Sequence, residues 1–254
     1  MKRREWKRRV RLFGLVAVML VATFGLALPA GGQAPARVSI WFLGFNTTQP
    51  PFSDVLARRA VATAIDRARM AAAAEADLAA GVEPPGCLGH NANARLHPYN
   101  PQVARELLAQ SGFKADEAGE LGLWVLSFLT RGDSKKQLEI LTANLSAIGL
   151  PTTVRQFGNY NALQRIATLS VVKMSYWGIG WNTIGCSQET FLEDLVHSSG
   201  DFNYFGYRNP DVDALIDRAR RAGDRAARAA LFREAEQKIL DDAVIVPIWW
   251  FVGR

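Results

Sequence analysis

The segment RVSIWFLGFNTTQPPFSDVLARRAVATAIDR, Arg37–Arg67, sets an apolar run against a helix across a single turn. Its first nine residues are rich in β-branched and aromatic side chains, which predicts a buried strand over Arg37–Phe45. Asn46–Pro51 combines Asn, Thr and Pro, the composition of a turn. Ser53 or Asp54 then caps a helix that places Val55, Ala62 and Ile65 on one face and runs to about Ala74.

The remainder repeats this alternation without a fixed period. Gly81–Pro98 is a long loop with Pro84, Pro85, Gly86 and Gly89, and Pro101 opens a helix that Gly112 stops. Leu121–Leu129 reads as a second buried strand. Ser134 caps a helix whose Leu138, Leu141, Leu145 and Ile148 share a face. Thr152–Phe157 alternates as a strand and Asn161–Leu169 is a short helix. Ser170–Trp177 is a strand running into Gly178-Ile179-Gly180-Trp181, which reads as irregular backbone. Pro210 opens PDVDALIDRARR, Asp224 caps the next helix, and Val244–Val252 is a last strand, apolar on both faces. Strands alternating with helices predict an α/β fold with a mostly covered sheet.

The formal charge of +6 does not imply a nucleic-acid surface. Residues 1–36 hold seven of the 30 Lys/Arg and one of the 24 acids, so the body carries 23 of each sign. The leader has a basic start, an apolar run LFGLVAVMLVATFGLAL over residues 12–28, and small residues up to Ala36. That order is a secretory signal peptide, with cleavage expected after Ala36. The alternative is an uncleaved signal anchor tying the chain to the inner membrane, which the Arg cluster also suits. Both readings place residues 37–254 on the outer, periplasmic or extracytoplasmic side.

Enzyme signatures do not emerge: G-x-S-x-G, the P-loop, H-E-x-x-H and G-x-G-x-x-G are all missing from the sequence. Cys87, His90 and His97 carry metal-binding side chains at a spacing that fits no structural zinc module, so a polar loop is preferred and no metal is assigned. Cys87 and Cys186 read as two unrelated thiols; a bridge between them would close a long loop and add about 4 kcal/mol. Arg218–Arg233 reads as the solvated side of two helices whose other sides carry Leu215, Ile216, Ala230 and Leu231. The aromatic cluster Tyr176, Trp177 and Trp181 around two glycines at a strand end suits a ligand cleft. Trp181, beside Gly180 and Asn182, reads as cleft, whereas Trp177 fits cleft and core equally. Trp249 and Trp250 point to opposite faces of the last strand, so one is expected in the core and the other along a cleft or under further structure.

Four stretches together resemble one family, the extracellular solute-binding proteins of ABC importers of the dipeptide/oligopeptide/nickel type, family 5. They are LGFNTTQPPFSDVLARRAVATAIDR, Leu43–Arg67; Pro84-Pro85-Gly86 with HPYNPQVARELLAQSGF, His97–Phe113; GWNTIGCSQETFL, Gly180–Leu192; and GYRNPDVDALIDRAR, Gly206–Arg220, followed by AVIVPIWW, Ala243–Trp250. The resemblance covers nearly all of residues 37–254 but only the later part of family members, which are much longer. It implies one lobe of a periplasmic-binding-protein-like, class II, two-lobed clamp, here apparently truncated.

What the resemblance implies for function is non-covalent capture of a small-molecule or peptide-like solute and delivery to ABC permease subunits, with no cofactor and no enzymatic step. The ligand-binding positions would be Tyr176 and Trp181 as apolar walls, Gly180 as backbone close to the ligand, Asn182 as a hydrogen-bonding side chain, and Ile184. Peptide-binding members place an Asp three residues after the cleft Trp to pair with the peptide's ammonium; Ile184 stands there in this chain. Losing one partner of a buried ion pair costs about 3–5 kcal/mol, or two to three orders of magnitude in affinity. Asp194 or Glu189 would substitute only if the loop bent inward, and both read as a solvated helix start. A ligand without a free α-amino group is therefore expected, such as a sugar, a metal complex or a capped peptide. The competing expectation is a truncated, membrane-anchored fragment without ligand binding of its own, acting at most as an interaction module.

Overall fold

The computed structural model describes residues 37–114, 121–159, 161–162, 165, 172–182 and 191–252, with the backbone alone at Arg37, Trp181 and Asn182. The leader, most of the helix expected over 161–169, and Ile184, Cys186 and Glu189 lie outside the described residues.

The apolar run Arg37–Phe45 forms β1, which is paired along both edges. After it come α1 (Val55–Ala64), α2 (Arg67–Ala73), β2 (Asp77–Leu78), α3 (Pro101–Gln110), β3 (Leu121–Leu126), α4 (Lys135–Ala147) and β4 (Thr152–Phe157). The chain continues with β5 (Met174–Asn182), α5 (Phe191–Val196), α6 (Pro210–Arg221), α7 (Arg225–Asp241) and β6 (Ile245–Val252). The strands make one mixed sheet in the order β2-β6-β1-β5-β3-β4. β1 runs antiparallel to β5 and β6, whereas β3 is parallel to both β4 and β5. The α/β architecture expected from the alternating pattern is present.

Strand alternation sorts the core into two layers. On one face Trp41 and Leu43 of β1 sit level with Gly178 and Tyr176 of β5 and with Trp249 and Val246 of β6. Helix α4 covers this face with Leu138, Leu141 and Leu145, all buried as expected. On the other face Phe42 meets Trp177 and Phe205, at 4.9 and 6.0 Å between ring centroids. Each such side chain contributes roughly 1.5–3 kcal/mol when fully buried.

Several expectations are corrected. The first helix breaks in two at Ile65–Asp66: Asp66 leaves helical geometry, its amide donates to Asn144 Oδ1 at 3.0 Å, and its carboxylate caps α2 at Arg69 N. β3 stops at Leu126 and passes into 3-10 turns over Ser127–Thr130 and Gly132–Ser134, so Ser134 makes no side-chain cap. β5 does not become irregular at its glycines but stays paired with β1 as far as Asn182. Trp249 and Trp250 do take opposite faces, yet both are buried. The buried side of α7 is Phe232, Ala235, Glu236, Ile239 and Leu240, while Ala230 is exposed. Cys87 is disulfide-bonded rather than a lone thiol.

Two of the sequence stretches that carry the resemblance serve to lock elements together. Asn209 caps α6 at Asp211 N, with Pro210 in the first turn. Tyr207 donates its hydroxyl to Asp242 Oδ2 at 2.7 Å, and Arg58 donates to the Asp242 and Phe52 carbonyls at 2.9 and 2.8 Å.

Candidate ligand-binding site

Parallel strands β3, β4 and β5 all end on one side of the sheet, at Leu126, Phe157 and Asn182. Antiparallel pairing brings the start of β1 and the end of β6 to the same edge: Val38 lies opposite both Trp181 and Val252, and Arg37 opposite Asn182. In α/β sheets ligands bind in the crevice outside the carboxyl ends of the strands. A cavity of about 390 Å³, lined by Pro50, Pro51, Asp54, Gly112, Phe113 and Lys173, opens at the other end of β1 and β5 and is not favoured by this rule.

An aromatic layer underlies the edge. Trp41 lies across Gly178 so closely that a Cβ there would stand 2.6 Å from its indole. Trp41 stacks on Trp249 at 5.0 Å and 15°, and meets Tyr176 and Phe128 edge-on at 5.7 and 5.8 Å. Phe128 is 50% exposed, and Phe251, paired with Ser39 at the same edge, is 53% exposed. Beneath them Tyr176 donates its hydroxyl to Gln137 Oε1 at 2.6 Å and accepts from Trp249 Nε1 at 2.9 Å. Burial pushes the phenol well above its ordinary range, so it stays a neutral donor. A satisfied buried network of this kind rigidifies the layer above it.

Of the positions singled out in the sequence, Gly180 is exposed at the edge, opposite Ser39. The backbones of Trp181 and Asn182 follow at the strand end. Tyr176 stands deeper along β5, fully buried under Trp41. Ile184 lies outside the described residues. The sequence reading missed Trp41, Phe128 and Phe251. Trp41 was hidden in a uniformly apolar run, and Phe128 in a stretch read as strand; the 3-10 turn is what turns Phe128 to solvent.

The Cys87/His90/His97 cluster is otherwise engaged. The Cys87 sulfur is in a disulfide, His90 Nδ1 lies 2.7 Å from the Glu83 carbonyl, and His97 Nε2 lies 3.2 Å from the Leu240 carbonyl. Desolvation lowers the His97 pKa, which keeps that ring neutral.

The sequence model described as "Bacterial extracellular solute-binding proteins, family 5 Middle" matches residues 22–203. Heme-binding protein A of Haemophilus influenzae is 25% identical over 226 residues, which is 85% of this chain and 40% of the relative. Glutathione-binding protein GsiB of Salmonella choleraesuis is 28% identical over 246 residues, 91% of this chain and 45% of the relative. The chain thus spans less than half the length of these curated relatives. The oligopeptide-binding protein AppA of Bacillus subtilis, solved with a nonapeptide, superposes with a TM-score of 0.72 at 20% identity, covering 87% of this chain and 46% of that one. That likeness shows the fold, and its share of the larger structure fits one lobe of a periplasmic-binding-protein-like clamp.

Proposed function

Because the chain belongs to the bacterial extracellular solute-binding proteins of family 5, we propose that it captures a small peptide-like solute at the Gly180–Asn182 edge, outside the inner membrane, and presents it to ABC permease subunits. The observation that carries this reading is the partly exposed aromatic layer, Trp41, Phe128 and Phe251, beside exposed Gly180 at the carboxyl ends of the parallel strands. Aromatic walls with a few polar groups suit reversible capture, and the compared relatives are named for binding, not for catalysis. With Ile184 where a counter-charge would stand, the preferred ligand lacks a free α-amino group. We assign Trp181 and Asn182 the roles of wall and hydrogen-bonding group, while Tyr176 supports the Trp41–Trp249 layer from below. Export through the leader, with removal after Ala36, brings the body to the solute.

The test is the melting temperature of the full chain with reduced glutathione, heme, free trialanine and N-acetyl-trialanine. A bound ligand at a hundredfold excess over its Kd raises the melting temperature by roughly 5–10 °C. A second reading, an interaction module without a ligand, is favoured by the exposure of Phe128 and Phe251. It predicts no shift with any of the four compounds.

A further inference from the structure

Away from the aromatic layer, the loop Gly81–Gly89 gathers two carboxyl groups into the core. Glu83 and Glu236 are both fully buried. Glu236 reaches out of α7 and accepts from the amides of Val82 and Glu83 at 2.6 and 3.3 Å. Its oxygen lies against Gly81, where a Cβ would stand 2.6 Å from Glu236 Oε1 and the carboxyl would have to shift. Glu83 in turn accepts from the amide of Leu192 at 3.1 Å, and from Phe191, in the first turn of α5. The second oxygen of each carboxyl is buried without a hydrogen-bond partner. The same loop carries disulfide-bonded Cys87.

Burying two carboxyls is costly, and helix starts are normally satisfied locally. This chain uses the local solution elsewhere: Asp54, Asp66, Asn100, Asn209 and Asp224 cap the helices that begin directly after them. The Leu192 amide is taken by a side chain 109 residues away. We propose that Glu83 is a positioning residue: its carboxyl, backed by Glu236, clamps the start of α5 to the loop Gly81–Gly89 and so fixes that helix relative to α7. The clamp is a chain of two links, from α7 through Glu236 to the loop and from the loop through Glu83 to α5. Burial raises the pKa of both groups, Glu83 the more strongly, which favours the neutral acid, and Glu83 meets α5 as a hydrogen-bond acceptor. That the clamp serves ligand capture rests on the proposed function; the clamp itself does not.

Hydrogen exchange at single amides tests it without any ligand, so failure of the clamp and failure of the proposed function are read separately. In the wild-type chain the amides of Phe191 and Leu192 should be protected like those of β3. Glu83→Ala should speed both by about tenfold or more while leaving β3 unchanged. Glu83→Gln keeps an acceptor oxygen and should restore exchange to within about twofold of wild type. Unprotected amides in the wild type, no change in Glu83→Ala, or equal acceleration in both variants would overturn the proposal. If Glu83→Ala does not fold, wild-type protection and the Glu83→Gln rates still decide it, and loss of protection in Glu83→Gln overturns it.

Discussion

At Glu236 a carboxyl enters the core from an Arg-rich helix, between the buried Phe232 and Leu240. Desolvation pushes its pKa up to about 7, while the Val82 and Glu83 amides and the charge of Arg233 pull it back. Buried Glu83 is the other acid of the cluster, and His90 borders the same loop through the Glu83 carbonyl. A carboxyl with a raised folded-state pKa favours the protonated protein. Its contribution to stability is complete below the unfolded value near 4.5 and is lost as pH rises through about 7. The loss is about 3 kcal/mol at most. Thermal melting between pH 4 and pH 9 should therefore show the wild type losing ground against Glu236→Gln across that window and no further above it. Parallel pH profiles for the two proteins would refute this. The sequence did not disclose Glu236, because an acid in an Arg-rich helix looks solvated. Helical spacing does put Glu236 on the stripe of Phe232, Ala235, Ile239 and Leu240, but its contacts with Gly81 and Val82 are remote in the chain and leave no trace in local periodicity.

The elements were more legible than their ends. β1, β4 and β6 lie within a residue of where the sequence places them, β1 and β6 because apolar β-branched runs have few alternatives in a covered sheet, and β4 through its alternation. Breaks were missed where a side chain intervenes, as at Asp66, or where the backbone tightens, as after Leu126. The glycines of β5 were misread for a definite reason. Gly178 does not bend the strand; it makes room for the Trp41 indole of the neighbouring strand. Gly178→Ala should therefore cost about 1–3 kcal/mol through overpacking. Gly158→Ala, where a Cβ would meet nothing within 4 Å, should change stability by no more than about 0.5 kcal/mol. Urea denaturation of both variants checks this, and equal midpoints would remove the close-approach argument.

For the whole molecule, the neutral body and basic leader were readable by counting residues, and the family by four stretches in order. The disulfide at Cys87 was not, because sequence separation says nothing about distance in space. The aromatic layer of the candidate site was half legible: Trp181 and the glycines of β5 marked the edge, whereas Trp41 and Phe251 come together only through strand pairing and Phe128 only through the 3-10 turn after β3. The proposed leader removal after Ala36 gives an intact mass lacking residues 1–36 for exported protein, and a mass retaining residues 12–28 would favour an anchor. Solute capture at the end of β5 is read by calorimetric titration with N-acetyl-trialanine and free trialanine, in the wild type and in Trp181→Ala. Saturable one-site binding of the acetylated peptide is expected, no weaker than the free one and reduced by about tenfold or more in Trp181→Ala. Absence of binding to either peptide, or binding of the free peptide that acetylation abolishes, would contradict it.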